Sequence, residues 1–257
     1  MVAAQVRSQA QYRTSFAIDI VGSVFFGVLD IGSVLVLFRL APTLGSFGFR
    51  EVFLMAALAV TAFAAADLAV GNVERLRVYV RSGLLDAVLV RPLGVLVQLT
   101  SLDVAPRRIG RLVFGIAMLV IAAAHAHVPL TARSLALLAI TPLAGAVVFG
   151  AVFVATATVA FWWIETGEIA NGLTYGGLNF TQYPITIYGP VLRRIFAYAV
   201  GFAFVAYYPT LALLDLSDPL GGSVCLAYAA PLVALAAATG AALMWRTGVR
   251  HYRGTGS

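Results

Sequence analysis

The sequence predicts an all-α membrane protein: six transmembrane helices, an amphipathic amino-terminal helix, and a long basic segment outside the lipid between the second and third spans. Three observations carry this expectation. Of 257 residues, 61% are hydrophobic and 11% charged, with a mean hydropathy of +0.94, whereas a soluble domain of this length carries about a quarter charged residues. Stretches such as Phe53–Val70, Leu112–Ala124, Leu135–Ile164 and Cys225–Trp245 are nearly free of charge, and they approach or exceed the roughly 20 residues that a hydrocarbon core of about 30 Å demands of a helix. All 17 basic residues are arginine, and most lie at the ends of these stretches.

Met1–Ser15 is polar and holds Arg7 and Arg13, unlike a cleaved signal peptide, so an interfacial helix is expected there and the first span must also target the chain. The spans are expected at Phe16–Leu40, Glu51–Gly71, Ile109–Val128, Arg133–Ile164, Val191–Leu214 and Val224–Trp245. The connections Ala41–Arg50, Pro129–Arg133 and Asp215–Gly222 are short and rich in Pro, Gly and Ser, which leaves no room for a folded domain on their side. An even count places both termini on one face. That face takes fourteen arginines, and the other only Arg39, Arg50 and Arg133, so the termini are expected in the cytoplasm. Residues 1–257 read as a single domain, and the lone Cys225 can form no internal disulfide.

The segment from Asn72 to Arg111 differs from the rest. It sets Arg75, Arg77, Arg81, Arg91, Arg107, Arg108 and Arg111 against Glu74, Asp86 and Asp103, too much charge to sit in lipid. Leu76, Val80, Leu84 and Val88 recur every fourth residue while Glu74, Arg77 and Arg81 gather on another side, the pattern of a helix along an interface. Gly83 is expected to break this helix and Pro92 to end its second piece. Pattern alone leaves two readings open: a basic helix held by anionic headgroups, or a coupling helix that docks on a soluble motor domain.

Two features favour the second. The chain contains no lysine, so a GxxxxGK[ST] phosphate loop is impossible and the chain cannot itself be a P-loop ATPase. In addition, the amphipathic amino terminus, the six spans, Glu74-Arg75 with RSGLLDAVLVRP (Arg81–Pro92), and downstream the blocks FWWIETGE (Phe161–Glu168), FTQYPITIYG (Phe180–Gly189), YYPTLALL (Tyr207–Leu214) and WRTGVRHY (Trp245–Tyr252) resemble the permease subunits of ABC-2 type exporters. Over essentially the whole chain they are similar to bacterial ABC-2 permeases encoded in pairs beside one ATP-binding subunit. The resemblance implies a bacterial inner-membrane exporter subunit, paired with a second permease, related or identical, on two cytoplasmic ATPase domains. ATP and Mg would be held by the ATPase and no cofactor by this chain. It also implies that Glu74, Arg75, Arg77, Arg81, Gly83, Asp86, Arg91 and Pro92 form the ATPase contact; arginine suits this because its planar fork holds a carboxylate bidentately.

Other residues invite attention. Asp30, near the middle of the first expected span, is costly in lipid unless it faces a partner or water, so it is a candidate for a cavity or permease interface, or for a structural bond to a neighbouring helix. Asp67 and Asp19 are expected to pair with Arg75 or Arg13. Glu165 and Glu168 share a helix face and are expected to make cytoplasmic electrostatic contact with Arg193 and Arg194 or with the ATPase; no nucleophile accompanies them, so no catalytic residue is assigned. His125 and His127 lack a nearby cysteine or carboxylate to complete a tetrahedral set, so no metal is expected. Tyr175, Tyr183, Tyr188, Trp162 and Trp163 read as an aromatic belt at the level of the lipid headgroups, and Pro142 with Gly145, and Pro209, as helix kinks.

Rival classes fare worse. An intramembrane hydrolase of rhomboid type would need a GxSx loop and a partnering histidine; Gly222-Ser223 precedes a span without one. A non-transporting scaffold would need the spans but no cavity. Nucleic acid is not expected, since the basic residues mark the ends of spans.

Overall fold

Hydrocarbon offers the backbone no hydrogen-bonding partner, so an apolar chain of this kind must satisfy its amides within helices. The computed structural model describes residues 34–90, 92–101, 106–163 and 167–252, with Gly22 and Gly32. The amino-terminal segment, most of the first expected span with Asp19 and Asp30, and Arg91, Asp103, Glu165 and Arg253 lie outside the described residues. Among the described residues the structure is helical, with no strand beyond an isolated bridge between Leu44 and Phe47.

The first long helix, α1 (Phe49–Val70), starts where the Gly48 amide donates to Glu51 Oε2 at 2.8 Å, a first-turn carboxylate that also suits the positive end of the helix dipole. A 3₁₀ turn at Gly71–Arg75 carries it into α2 (Leu76–Arg81), and together they form an apolar rod of 33 residues. After α3 (Leu84–Leu89) and α4 (Val95–Ser101) come α5 (Pro106–His125) and α6 (Ala132–Thr158), the latter capped by Thr131, whose hydroxyl accepts from the Ser134 amide at 3.2 Å. The chain continues through α7 (Gly167–Thr181), α8 (Pro190–Leu192) with a π-helical turn Arg193–Ala199, α9 (Tyr207–Leu213) and α10 (Ala230–His251).

α1 is the centre. It packs against α5 and α6, and α6 in turn against α10. Small residues set these distances: a Cβ on Gly115 of α5 would lie 3.1 Å from the Thr61 Cα of α1, and one on Gly145 of α6 would lie 2.8 Å from Ala62 and 2.7 Å from Val205. Such close approach is how helices gain packing energy where lipid removes the hydrophobic drive. The outward faces remain apolar and exposed, with Val113, Val120 and Ile121 on α5 and Leu232 and Leu235 on α10. A surface of that kind belongs in hydrocarbon.

Four helices among the described residues are long and apolar enough to cross a membrane: Phe49–Arg81, Arg107–His125, Ala132–Phe161 and Ala230–His251. These meet the second, third, fourth and sixth expected spans, although the last begins at Ala230 instead of Val224 and runs on through Arg246 and Arg250; Val224–Tyr228 is a 3₁₀ turn. The expected fifth span, Val191–Leu214, differs most. It is two helical pieces, Pro190–Ala199 and Phe202–Leu213, bent by 66°.

Neighbours locate both limbs of this hairpin. Thr186 and Ile187, just before it, lie beside Gly45; Tyr207 packs on Phe47 with ring centroids 5.7 Å apart; and Arg133 reaches the Ala212 carbonyl and Asp215 at 3.1 Å. Both ends therefore sit at the end of the bundle that carries residues 41–48 and the start of α6. The apex lies deeper, with Phe202 against Phe149 at 5.1 Å and under Gly177. Gly201, at φ 94°, makes the bend in a conformation that L side chains rarely adopt. Pro209, expected as a kink, sits instead in the first turn of α9, where its missing N–H costs nothing. It is α7 that joins the two ends: Gly167 abuts Arg77, and the connection after Thr181 reaches Gly45.

Gly145→Leu is expected to destabilise the bundle by about 1–3 kcal/mol through overpacking, read as a lowered midpoint of thermal unfolding by tryptophan fluorescence in detergent. Gly240→Ala meets nothing within 4 Å and should leave the midpoint unchanged or raise it.

Candidate functional site

Residues 71–90 and 92–101 form a bracket at the end of the bundle opposite the hairpin mouth. Leu76, Val80, Leu85 and Val88 are buried. The every-fourth pattern fails only at Leu84: Gly83, at φ 72°, turns the corner between α2 and α3, so that Leu84 is 53% exposed, Leu85 takes the buried place at 1%, and Val88 is buried as expected. α3 stops at Leu89, two residues short of Arg91-Pro92. Gln98 on α4 is buried, and its Nε2 donates to the carbonyls of Val88 at 3.0 Å and Leu93 at 2.6 Å. One side chain thus fixes the width of the turn between α3 and α4.

The exposed side of this turn carries Arg81, Leu84, Asp86, Leu89, Val90, Pro92 and Leu93, with Val90 84% exposed. Among the described residues it is an apolar patch rimmed by Arg81 and Asp86. Four of the expected contact positions, Arg81, Gly83, Asp86 and Pro92, lie here, and Arg75 is exposed on the preceding turn. Glu74 and Arg77 do not share the patch. They line a cavity of about 70 Å³ with Thr156, Gly167 and Asn171. Arg91 is outside the described residues.

The bracket is anchored by a group of charges that sequence reasoning only half identified. Asp67, 5% exposed near the end of α1, accepts from Arg108 Nε at 2.9 Å and Arg111 Nη1 at 3.0 Å. Arg108 Nη1 donates to Asn72 Oδ1 at 2.6 Å, and Asn72 Nδ2 reaches the Thr100 carbonyl at 3.4 Å. Four polar side chains therefore tie α1, the 3₁₀ turn, α4 and α5 together. The expectation for Asp67 named Arg75 or Arg13; the observed partners lie some forty residues on, one helical turn apart at the start of α5. The readable signal was a carboxylate at one span end facing two arginines at spacing i, i+3 at the start of the next.

The remaining expected residues separate. Glu168 is exposed at the start of α7. Arg193 and Arg194 do not join it: Phe196, one turn after them, packs on Phe180 with centroids 5.4 Å apart, twelve residues and roughly 18 Å of helix from Glu168. Glu165 and Asp30 are outside the described residues. Trp162 stacks on His251 at 5.5 Å and Trp163 is exposed, as a headgroup-level belt requires, and Tyr175, also exposed, rests one side of its ring on Phe63 at 5.4 Å. His125 sits edge-on to Phe49, and among the described residues no three His, Cys, Asp or Glu could hold a metal together.

Removing Asp67 would leave Arg108 buried without its anion, which commonly costs about 3–5 kcal/mol. Asp67→Ala is expected to lower the unfolding midpoint in detergent sharply, and the double variant Asp67→Ala with Arg108→Met to recover part of the loss. Equal midpoints for Asp67→Ala and wild type would show that the anchor bears no weight.

A family model described as ABC-2 family transporter protein matches residues 19–256 of the chain. No curated protein and no solved structure matches it.

Proposed function

Because the chain belongs to the ABC-2 transporter family as a multi-pass membrane protein, we propose that it is the permease subunit of an ATP-driven exporter whose motor is a separate ATP-binding subunit docked on the turn between α3 and α4. The observation that carries this reading is the length of the α1–α2 rod. Its 33 residues extend about 50 Å, some 20 Å more than the hydrocarbon needs, and the protruding end leads directly into the exposed patch of Leu84, Val90 and Leu93 with Arg81 and Asp86. A stiff rod that is buried along most of its length and bare at its tip transmits force applied there. ATP-driven closure of two motor domains would push the bracket as a rigid body and switch a path between two permeases from inward to outward access. The absence of lysine supports a phosphate loop, with its ATP and Mg, on the partner and not on this chain.

The same reading sets the membrane topology. The arginine-rich end is cytoplasmic, the segment before residue 40 supplies the first crossing, and α1, α5, α6, α7 and α10 supply the other five. The hairpin enters from the outer side and returns to it, so Arg193 and Arg194 belong outside, not in the cytoplasm as the even spacing of six straight spans suggested. The arginine asymmetry survives that move. The permease pairs with a second copy or a related chain, and both termini are cytoplasmic.

Orientation is tested by single cysteines in a Cys225→Ser background. Ser82→Cys should react with an impermeant reagent only once the membrane is opened, while Ser46→Cys and Arg194→Cys should react from outside. Labelling at Arg194→Cys that needs an opened membrane would restore a plain crossing at Pro190–Leu213.

Docking is tested by Arg81→Glu combined with Val90→Asp and Leu93→Asp. Losing a desolvated contact commonly costs about 2–5 kcal/mol, so the triple variant should insert normally yet retain less than about a tenth of the co-expressed ATPase in a detergent pull-down. Full retention with normal substrate-stimulated turnover would contradict the assignment. The purified chain alone should hydrolyse no ATP.

A further inference from the structure

Four glycines punctuate α7, and two of them have no occupant within the chain. Gly167 receives Arg77 and Gly177 receives Phe202, each so closely that a Cβ would overlap the incoming side chain. Gly172 and Gly176, one helical turn apart, meet nothing within 4 Å. A glycine weakens a helix relative to alanine, and packing inside the chain accounts for that weakening only at the first pair.

Beside the open pair runs a polar ridge. Asn171, Tyr175 and Asn179 repeat every fourth residue, and all three are exposed. The main-chain carbonyls of Asn171 and Asn179 accept from Thr174 and Tyr188, but their carboxamides have no partner among the described residues. In the topology proposed above α7 crosses the hydrocarbon, where an unpartnered carboxamide is unfavourable. The outward faces of α5 and α10, with Val113, Val120, Leu232 and Leu235, suit lipid. The outward face of α7 needs a polar cover.

Its shape selects the cover. Successive residues of a helix turn by about 100°, so the ridge of Asn171, Tyr175 and Asn179 and the groove at Gly172 and Gly176 lie side by side with the same inclination to the axis. A two-fold axis along the membrane normal sets the ridge of one copy into the groove of the other, and the reverse. That is the packing of i±4 rows on i±4 rows, which crosses helices at about −50°, close to the roughly −40° of small-xxx-small contacts between membrane helices. Carboxamides suit a two-fold contact because each both donates and accepts and so can pair with its own kind.

We propose that the outward face of α7 is the surface on which a second copy of this chain docks, with Asn171, Tyr175 and Asn179 of each copy seated in the Gly172–Gly176 groove of the other. The assignment rests on the reading of α7 as a crossing and of the exporter as a pair of permeases, and it adds that the pair is made of identical chains.

The test co-expresses two differently tagged copies with the ATP-binding subunit, one copy carrying benzoylphenylalanine in place of Tyr175. Illumination of intact membranes should yield an adduct that bears both tags, its attachment mapped by mass spectrometry to the peptide of the second copy that holds Gly172 and Gly176. Gly172→Leu with Gly176→Leu in the second copy should lower the yield about tenfold by filling the groove, whereas Gly240→Leu, at an equally open glycine of α10, should leave it unchanged. Both groove positions admit a side chain without a clash inside one chain, so the double variant should keep its unfolding midpoint. If it does not elute as a folded species, Gly172→Ala with Gly176→Ala should lower the yield by a smaller factor. Adducts confined to lipid, to residues 1–33 of the same chain or to a different membrane protein, or two-tag adducts indifferent to the groove variants, would each overturn the assignment. None of these positions lies on the turn between α3 and α4, so ATPase retention is read separately. A two-tag adduct without the ATPase sinks the docking reading alone, and a retained ATPase without the adduct sinks this one alone.

Discussion

The arrangement of the bracket depends on one carboxylate. Asp67 lies where α1 leaves the hydrocarbon, and both of its oxygens are taken by arginines from α5, one of which also holds Asn72. A buried ion pair seldom adds net stability over a well-packed apolar alternative, because desolvation offsets attraction. Its value is in geometry: an uncompensated charge at that depth is so unfavourable that α1, the turn at Gly71–Arg75 and the start of α5 have a single low-energy arrangement. With that junction fixed, Gln98 sets the turn between α3 and α4, and the patch at Leu84–Leu93 has a defined position relative to the spans.

A lever needs rigidity along its length and freedom at its tip, and the described residues show both. The α1 portion of the rod is buried on nearly every side between α5 and α6, while the turn after α2 leaves Val90 and Leu93 bare. At the opposite end, the hairpin between α8 and α9 hangs from Arg133, Phe47 and the residue 45 loop, with its apex against α6 and α7. Displacement of α6 or α7 by the bracket would reach that apex directly, through Phe149 and Gly177. The contacts are contiguous from the turn between α3 and α4 to the hairpin, which is the physical requirement for transmission between them.

Much of this was legible from residues alone. Hydropathy located α1, α5, α6 and α10, and Gly83 and Pro92 marked the pieces of the bracket. The hairpin was not legible, because Val191–Leu214 is equally apolar whether it crosses or returns; the bend rests on Gly201 adopting a positive φ, which hydropathy does not register. α7 escaped for the converse reason. Its sequence, GEIANGLTYGGLNFT, holds two asparagines and four glycines, so it reads as a loop, although its threonines bond back to their own helix, as when Thr181 donates to the Gly177 carbonyl one turn before it at 2.7 Å. The pairing of Asp67 was misassigned because proximity in sequence favoured Arg75, and only the packing of α5 on α1 brings Arg108 and Arg111 within reach. Of the expected contact set, Arg75, Arg77, Arg81, Asp86 and Pro92 are exposed, and Glu74 and Arg77 also line a small cavity that no sequence period announces.

The central claim is that force enters at the turn between α3 and α4. Photocross-linking tests it most directly, with benzoylphenylalanine replacing Val90 in the complex isolated from intact membranes and Val113 and Leu232 as controls on the outward faces of α5 and α10. The account predicts that Val90 yields a covalent adduct with the ATP-binding subunit, whose yield changes when ATP is trapped, while the two controls yield none. Adducts from Val90 to lipid alone, or equal ATPase adducts from all three positions, would contradict it.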